Sequence, residues 1–315
     1  MKVAPAAEVG SRFPRDGRPL PSRVVSAKVS LRQRLAEIWQ SRELIAFLIR
    51  KELKVRYKNS VLGFLWSFLN PALVLLVYYV VFKYFLANHI SLFAIYLFAG
   101  LLPWNLFNNS LLSSAGVLVA QAGIVKKVSF PREILALANV GASVVYFFIQ
   151  LGVLALVLLL VGHAPAWNYM WILPVSFASL YFFTASVAMV TSALNVYLRD
   201  IKHLMEVMLM LWFYLTPIVY SYENTISLKL HRHGIALLYF LNPVTLIVLT
   251  FQRVFYVATS VTSTVAPHPI LSILPTWSVS HFLFLNLALL AIMVVLFLVS
   301  LTIFGRLEGN FESEL

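Results

Sequence analysis

Residues 50–71 read Arg-Lys-Glu-Leu-Lys-Val-Arg-Tyr-Lys-Asn-Ser-Val-Leu-Gly-Phe-Leu-Trp-Ser-Phe-Leu-Asn-Pro, and this stretch decides the fold class. Five cations, Arg50, Lys51, Lys54, Arg56 and Lys58, stop at Ser60. From 61 to 87 the only full charge is Lys83. A charge at the bilayer centre costs at least ~2.5–3.5 kcal/mol on insertion scales, so a run this clean is long enough to span a membrane. The cations mark its cytoplasmic edge. One junction thus predicts the class of the protein, its orientation and a surface open to the cytosol.

The rest of the composition agrees. The 315 residues are 61% hydrophobic and 11% charged, with a mean hydropathy of +0.86. A soluble protein of this size needs far more surface charge. Apolar runs longer than eighteen residues, without alternating ten-residue strands, predict a helical bundle rather than a barrel. The net charge of +12 is concentrated, with fourteen of the 24 Lys and Arg in the first 60 residues. That distribution reads as topogenic charge rather than as a nucleic-acid surface. The absence of cysteine excludes disulfides, thiol catalysis and cysteine-ligated metal.

The expected organisation is an all-α membrane protein in three parts. Residues 1–38, rich in Pro, Arg and Ser, read as a flexible cytoplasmic tail. Residues 39–60 read as an amphipathic interface helix, with Glu43, Arg50 and Lys54 on one side and Leu44, Leu48 and Val55 on another. Residues 61–315 read as six spans, at about 61–87, 93–120, 134–161, 170–198, 204–220 and 281–304. The loops expected inside hold Lys126, Lys127, Arg132, Arg199 and Lys202, whereas those around 88–91 and 162–167 hold no Lys or Arg. The positive-inside rule is met at each short loop, with both termini cytoplasmic. Between the fifth and sixth spans, residues 221–280 are expected outside. Asn242-Pro243 breaks the apolar run 235–258, which predicts short re-entrant helices. Residues 259–276, with three prolines, read as an external loop.

Enzyme signatures are missing. No Gly is followed by Lys, so there is no Walker A loop, and there is no His-Glu-x-x-His motif. His231 and His233 lack a nearby carboxylate and read as loop residues. The twelve acids do not cluster in the membrane, as an ion-coupled carrier would require. Glu206 reads as an i,i+4 partner of Lys202.

Aromatics are abundant instead, at 14%. Tyr78, Tyr79, Phe82, Tyr84 and Phe85 crowd the end of the first span. Trp104, Phe107 and Asn108 share a face of the second, with Asn105 and Asn109 beside them. Tyr181, Phe182 and Phe183 lie in the fourth span, and Trp212, Tyr214 and Tyr220 in the fifth. These residues suit an interfacial belt and packing, or a conduit whose aromatic faces stack on sugar rings while Asn amides meet hydroxyls. Thr184, Thr191 and Asn195 form a polar stripe that equally suits helix–helix hydrogen bonding. The loop 121–133, Gln-Ala-Gly-Ile-Val-Lys-Lys-Val-Ser-Phe-Pro-Arg-Glu, is too short for a domain and too patterned for a plain linker.

Four motifs occur in order: Lys-Val-Arg-Tyr-Lys-Asn-Ser-Val-Leu-Gly-Phe-Leu-Trp (54–66) with Asn70-Pro71, then Ile-Val-Lys-Lys-Val-Ser-Phe-Pro-Arg-Glu (124–133), Asn-Val-Tyr-Leu-Arg-Asp-Ile-Lys (195–202) and Leu-Thr-Pro-Ile-Val-Tyr (215–220). Over residues 40–315 the chain resembles the permease subunits of bacterial ABC exporters of cell-surface polysaccharides, the O-antigen, teichoic-acid and capsule export permeases. The resemblance implies an inner-membrane permease that pairs with a second copy of itself and with two ATP-binding cassette subunits. It also implies that ATP and Mg are bound in those subunits, with no cofactor or metal on this chain. The cargo would be a lipid-linked polysaccharide moved outward. Coupling to the ATPase would fall on Ile124, Lys126, Lys127, Phe130, Pro131, Arg132 and Glu133, and on Arg199 and Asp200. Charge and position suggest that Arg50, Lys51, Lys54 and Arg56 meet the pyrophosphate of the lipid carrier. The conduit is expected to be lined by Trp66, Asn70, Tyr78, Tyr79, Trp104, Asn105, Phe107, Asn108, Tyr181, Trp212 and Tyr214. The rival readings are an exporter of drugs or small lipids, a membrane-embedded glycan-processing enzyme, and an ion-coupled carrier or channel. The enzyme would need acidic residues on a sizeable loop, and the outer segment offers only Glu223.

Overall fold

A computed structural model describes residues 30–56, 60, 62–81, 92–128, 130–222, 236–257, 260–262 and 270–314. Lys58, the aromatics 82–85, the His231/His233 pair and much of the expected outer segment lie outside the described residues.

The described residues begin with two helices. α1 (Leu31–Gln40) starts at Ser30, whose hydroxyl accepts from Gln33 N at 3.3 Å, and Ser30-x-x-Gln33 has the spacing of a capping box. It ends at Ser41, whose hydroxyl donates to Glu37 O at 2.8 Å. α2 (Arg42–Arg56) follows at once and lies against α7 (Glu133–Val161). The tail expected to run flexibly to residue 38 is therefore helical from Leu31. Local capping and a hydrophobic stripe, Leu31 and Ile38 packing on the bundle, outweigh its high charge.

α3 (Trp66–Val80) and α4 (Phe93–Ala115) come next, then the one-turn helices α5 (Val117–Ala120) and α6 (Ala122–Val125). α7 closes at Gly162 (φ 71°), where His163 N reaches back to Leu158 O at 2.9 Å, a left-handed stop that glycine makes at little cost. A 3-10 segment, Trp167–Ile172, leads into α8 (Leu173–Tyr197), and α9 (Ile201–Leu215) follows a tight turn. α10 (Pro243–Phe255) is short and capped by Asn242. α11 (Val279–Leu307) starts behind Ser278, and α12 (Phe311–Glu314) is the last described element. The strands β1 (Ser260–Thr262) and β2 (Ile270–Ser272) pair antiparallel within the segment expected to be a plain loop.

α4 is the central post. It contacts α3, α7, α8, α9 and α10, while α8 and α11 make the most extensive pairing. Every residue of α10 but Arg253 is buried, so a short apolar helix is enclosed by protein on all sides. A Cβ on Gly100 would sit 2.8 Å from Gln252 Nε2, so glycine sets how closely α4 and α10 approach. The larger core centres on Phe107, which stacks on Phe183 (5.2 Å, 13°) and meets Trp212 edge-on (5.1 Å). A smaller core of Leu118, Val125, Met189, Val196, Phe304 and Phe311 gathers the opposite ends of α5, α6, α8, α11 and α12.

Among the described residues, three helical stretches are long and apolar enough to cross a membrane: Glu133–Val161, Trp167–Tyr197 and Val279–Leu307. At 1.5 Å per residue a 29-residue helix is about 43 Å long, well beyond a ~30 Å hydrocarbon layer. α3 and α10 are apolar but shorter. The expected second span breaks at Gly116 rather than running to 120. The expected fifth stops at Leu215, because Thr216-Pro217 follows.

Candidate functional site

One end of the bundle collects the charged side chains and the short helices. The smaller core holds it together: the Tyr197 hydroxyl donates to Leu307 O, and its ring lies 6.0 Å from Phe311. The turn between α8 and α9 is fixed by Asn195, whose Oδ1 accepts from Lys202 N at 3.1 Å. A Cβ on Gly116 would lie 3.7 Å from Lys202 Cδ, so the α4–α5 corner abuts the start of α9.

At this end four charged residues from distant parts of the chain converge. Arg34 Nη1 lies 3.4 Å from Glu133 Oε1, and its Nη2 lies 3.2 Å from Glu308 Oε2. Arg132 Nε is 3.8 Å from Glu308 Oε1, and Arg132 Nη1 donates to Glu308 O at 3.1 Å. The Glu133 side chain is 1% exposed and that of Arg34 13%. An ionised carboxylate in that position persists only beside a cation, and Arg34 supplies it. Gly305 makes room, since a Cβ there would run into the Arg34 guanidinium. α1, the first turn of α7 and the end of α11 are thereby tied together.

This geometry divides the expected coupling residues. Ile124, Lys126 and Lys127 face outward with Val128, on the turn after α6. Leu198, Arg199 and Asp200 are exposed on the α8–α9 turn. Phe130 and Pro131 are half-buried. Arg132 and Glu133 point inward into the ion cluster, so they anchor the turn. Glu206 pairs with His203 at 3.6 Å rather than with Lys202, and both partners are exposed.

On α2 the cations Arg50, Lys51 and Lys54 are exposed, Phe47 is exposed among them, and Arg56 is the last residue of the helix. The opposite face carries Ile49, against Gly141 of α7. Val55, expected on the apolar side, is exposed.

The aromatic positions also divide. Phe107 has no exposed surface and Trp104 only 5%, so both are packed core residues with no face for a solute. Asn105 Nδ2 donates to Gln150 Oε1 at 3.1 Å, which ties α4 to α7. Trp212 is half-buried, and its Nε1 donates to Asn242 Oδ1 at 2.9 Å. Tyr78, Asn108 and Tyr181 are half-buried, whereas Trp66, Asn70, Tyr79 and Tyr214 are exposed. α3 and α9 are nearly bare within the chain: α3 buries only Ser67 and Pro71, and α9 only Leu209. Thr184, Thr191 and Asn195 are buried, but Thr191 donates to its own helix at Val187 O and Asn195 accepts from Lys202 N across the adjoining turn, so the stripe makes no hydrogen bond of the expected helix–helix kind among the described residues. Among the described residues no three His, Asp or Glu converge to hold a metal ion.

Residues 43–256 match the family described as ABC-2 type transporter. The chain belongs to that family. It is 36% identical over 179 residues to an O-antigen export system permease protein RfbA of Klebsiella pneumoniae, which covers 57% of this chain and 69% of the relative. It is 34% identical over 220 residues to the protein of that name from Myxococcus xanthus, covering 70% of this chain and 83% of the relative. A second Klebsiella pneumoniae relative of the same name is 35% identical over 179 residues, covering 57% of this chain and 69% of the relative.

This ABC-2 chain is accordingly a multi-pass membrane protein and a transport permease rather than an enzyme. Two of its most connected charged residues carry no role in the sequence pattern. Arg34 lies in the segment read as tail, and Glu308 follows the last span. A signal for the first exists, the Ser30 cap before Leu31, Leu35 and Ile38 at helical spacing. No local signal points to a partner 99 or 274 residues away.

Proposed function

We propose that this chain is the transmembrane subunit of an ATP-driven exporter that moves a lipid-linked polysaccharide of the O-antigen class outward across a bacterial inner membrane. It works as a pair of copies with two ATP-binding cassette subunits, which hold the ATP and Mg. The observation that carries the reading is the identity of 34–36% to three O-antigen export permeases. The exposed cationic turn around Lys126 and Lys127, at the end where charge is gathered, supports a docking role.

In this reading both termini and the charged end are cytoplasmic, in line with the positive-inside pattern. α3, α4 and α9 complete six spans with the three long helices, the bilayer thinning around the short α3 and α9. α10, enclosed by protein and too short to cross, is the re-entrant helix, since non-helical backbone at membrane depth is tolerated only inside protein. The ATPases push on Ile124, Lys126 and Lys127, with Arg199 and Asp200 as a second contact. The anchored Phe130, Pro131, Arg132 and Glu133 carry that push into α7. Arg50, Lys51, Lys54 and Arg56 hold the lipid pyrophosphate at the entrance, as guanidinium and ammonium groups near a membrane surface do. The bare faces of α3 and α9, with Trp66, Asn70, Tyr78, Tyr79 and Tyr214, line the path between copies. Asn105, Asn108, Tyr181 and Trp212 stand behind them.

The test is ATP hydrolysis by the complex purified from its own cells in nanodiscs, with and without the lipid-linked glycan of those cells. Hydrolysis that responds to glycan and falls when Lys126 and Lys127 become Glu is expected. A chain that retains no ATP-binding subunit would refute the reading.

A further inference from the structure

Beside the ion cluster lies a slot of about 430 Å³, lined by Arg34, Glu37, Gln40, Ser41, Phe130, Pro131, Glu133 and Glu308. Three carboxylates face one guanidinium, a formal −2, and Arg132 behind Glu308 reduces this to −1. That sign is unusual in a chain of net +12. The acceptors are not used up. Glu133 Oε1 and Glu308 Oε2 are taken by Arg34, and Glu37 Oε1 accepts from Gln33 Nε2 at 3.1 Å. Glu133 Oε2 is buried without a hydrogen-bond partner. A buried carboxylate oxygen left bare is costly, so a donor that reaches it gains more than a surface contact would. Phe130 and Pro131 give the slot an apolar wall. An apolar wall ending in free carboxylate oxygen suits a long alkyl stem with a cationic head, which is the shape of a lysine or arginine side chain.

We infer that this slot receives a lysine or arginine side chain of the ATP-binding subunit, an inference that rests on the proposed function. Phe130 and Pro131 continue the same turn that carries the exposed Lys126 and Lys127, so a subunit seated on that turn reaches the slot without a second docking surface. The contact reverses the usual polarity of this end: most of the described cations look outward, and here the partner supplies the cation. It places α1 inside the coupling interface, with Arg34 holding the slot open and its acids poised. Glu37 is the residue to vary, because it is half-buried on α1 and outside the ion cluster.

The experiment uses the full complex purified from its own cells. A photo-crosslinking p-benzoylphenylalanine replaces Gln40, and the affinity of the ATP-binding subunit for the Glu37→Lys and Glu37→Gln chains is measured in nanodiscs. The crosslink is expected on the ATP-binding subunit within a few residues of a Lys or Arg. Glu37→Lys is expected to weaken the complex about tenfold or more, and Glu37→Gln less, because Gln keeps the bond to Gln33 and removes only charge. A crosslink confined to this chain's own basic residues 1–29, or an affinity unchanged by Glu37→Lys, would overturn the inference. If that happens while Lys126→Glu/Lys127→Glu still disrupts the complex, the proposed function stands without the slot. If the unsubstituted chain holds no ATP-binding subunit, both fall.

Discussion

Replacing Arg34 by Gln should release α1 from the bundle. α1 has no fully buried residue of its own, so its attachment depends on Leu31 and Ile38 at the edge of the smaller core and on Arg34. Removing the guanidinium leaves Glu133, 1% exposed, as an uncompensated buried charge. Breaking a buried pair from one side costs about 3–5 kcal/mol. Glu308 keeps Arg132 and is 21% exposed, so its half contributes little, and Arg34 itself touches solvent. A net cost of about 3 kcal/mol follows from the low end of that range. If it falls on local undocking, amides of residues 31–40 should exchange up to roughly a hundredfold faster in nanodiscs, while α4 keeps its protection. The double variant Arg34→Gln/Glu133→Gln decides the mechanism. With Glu133 neutral, losing Arg34 should cost less than about 1 kcal/mol, because no buried charge is stranded. Unchanged exchange in α1, or strictly additive effects of the two substitutions, would refute this account of the end of the bundle.

Gly305→Ala should mimic that phenotype more weakly, since the new methyl displaces the Arg34 head without deleting it; exchange of 31–40 would again report it. Asn242→Ala removes the cap on Val244 N (3.1 Å) and the bonds to Trp212 Nε1 (2.9 Å) and Thr216 Oγ1 (3.0 Å) that join α9 to α10. A loss of about 2–3 kcal/mol is expected in reversible unfolding, of which the cap is about 1 kcal/mol. Phe107→Ala should cost about 3–5 kcal/mol by emptying the stack with Phe183 and Trp212. Tyr214→Ala, at an exposed position, should change stability by less than about 0.5 kcal/mol yet reduce glycan export in cells if α9 lines the path.

Much of the fold was legible because a bilayer simplifies the code. Residues 134–161 and 281–304 needed only length and apolarity: the Gly162 cap ends the first at Val161 as expected, and the second starts two residues early behind Ser278 and runs on to Leu307. α4 was harder to judge. Asn105, Asn108 and Asn109 read as a polar face for a solute, but Asn105 is spent on Gln150, and the neighbouring Trp104 and Phe107 turn into the core. Helical spacing reports which residues share a face, not whether that face meets lipid, solute or another helix. The same limit applied to the 124–133 loop. Its composition marked it as special, but its division into an outward cationic turn and an inward ionic anchor depends on Arg34 and Glu308, whose positions no local pattern encodes. Charge density misled once, at residues 31–38. There a capped amphipathic turn gained enough from the smaller core and one buried carboxylate to fold.

The interface helix offers a separate handle on how motion would reach the membrane. α2 lies on α7 at a point where a Cβ on Gly141 would stand 2.5 Å from Ile49 Cδ1 and 3.0 Å from Ile49 Cγ1. Glycine is needed there for proximity alone. Gly141→Ala must therefore push Ile49 aside or lift α2. Overpacking of this kind costs about 1–3 kcal/mol. Ile49→Val deletes the Cδ1 atom that makes the closer contact, so the pair Gly141→Ala/Ile49→Val should recover most of the loss. Ile49→Val alone should cost about 0.5–1.5 kcal/mol through the gap it leaves. A sign reversal is thus expected: the valine is harmful beside the native Gly141 and helpful beside the introduced alanine. Hydrogen exchange across residues 42–56 measures it in each of the four chains. If α2 carries the ATPase stroke to α7, glycan-stimulated hydrolysis should follow the same order. An alanine tolerated beside Ile49, with α2 protection unchanged, would mean that α2 does not bear on α7 at this point. Motion of the charged end would then have to reach the membrane through Arg132 and Glu133 alone.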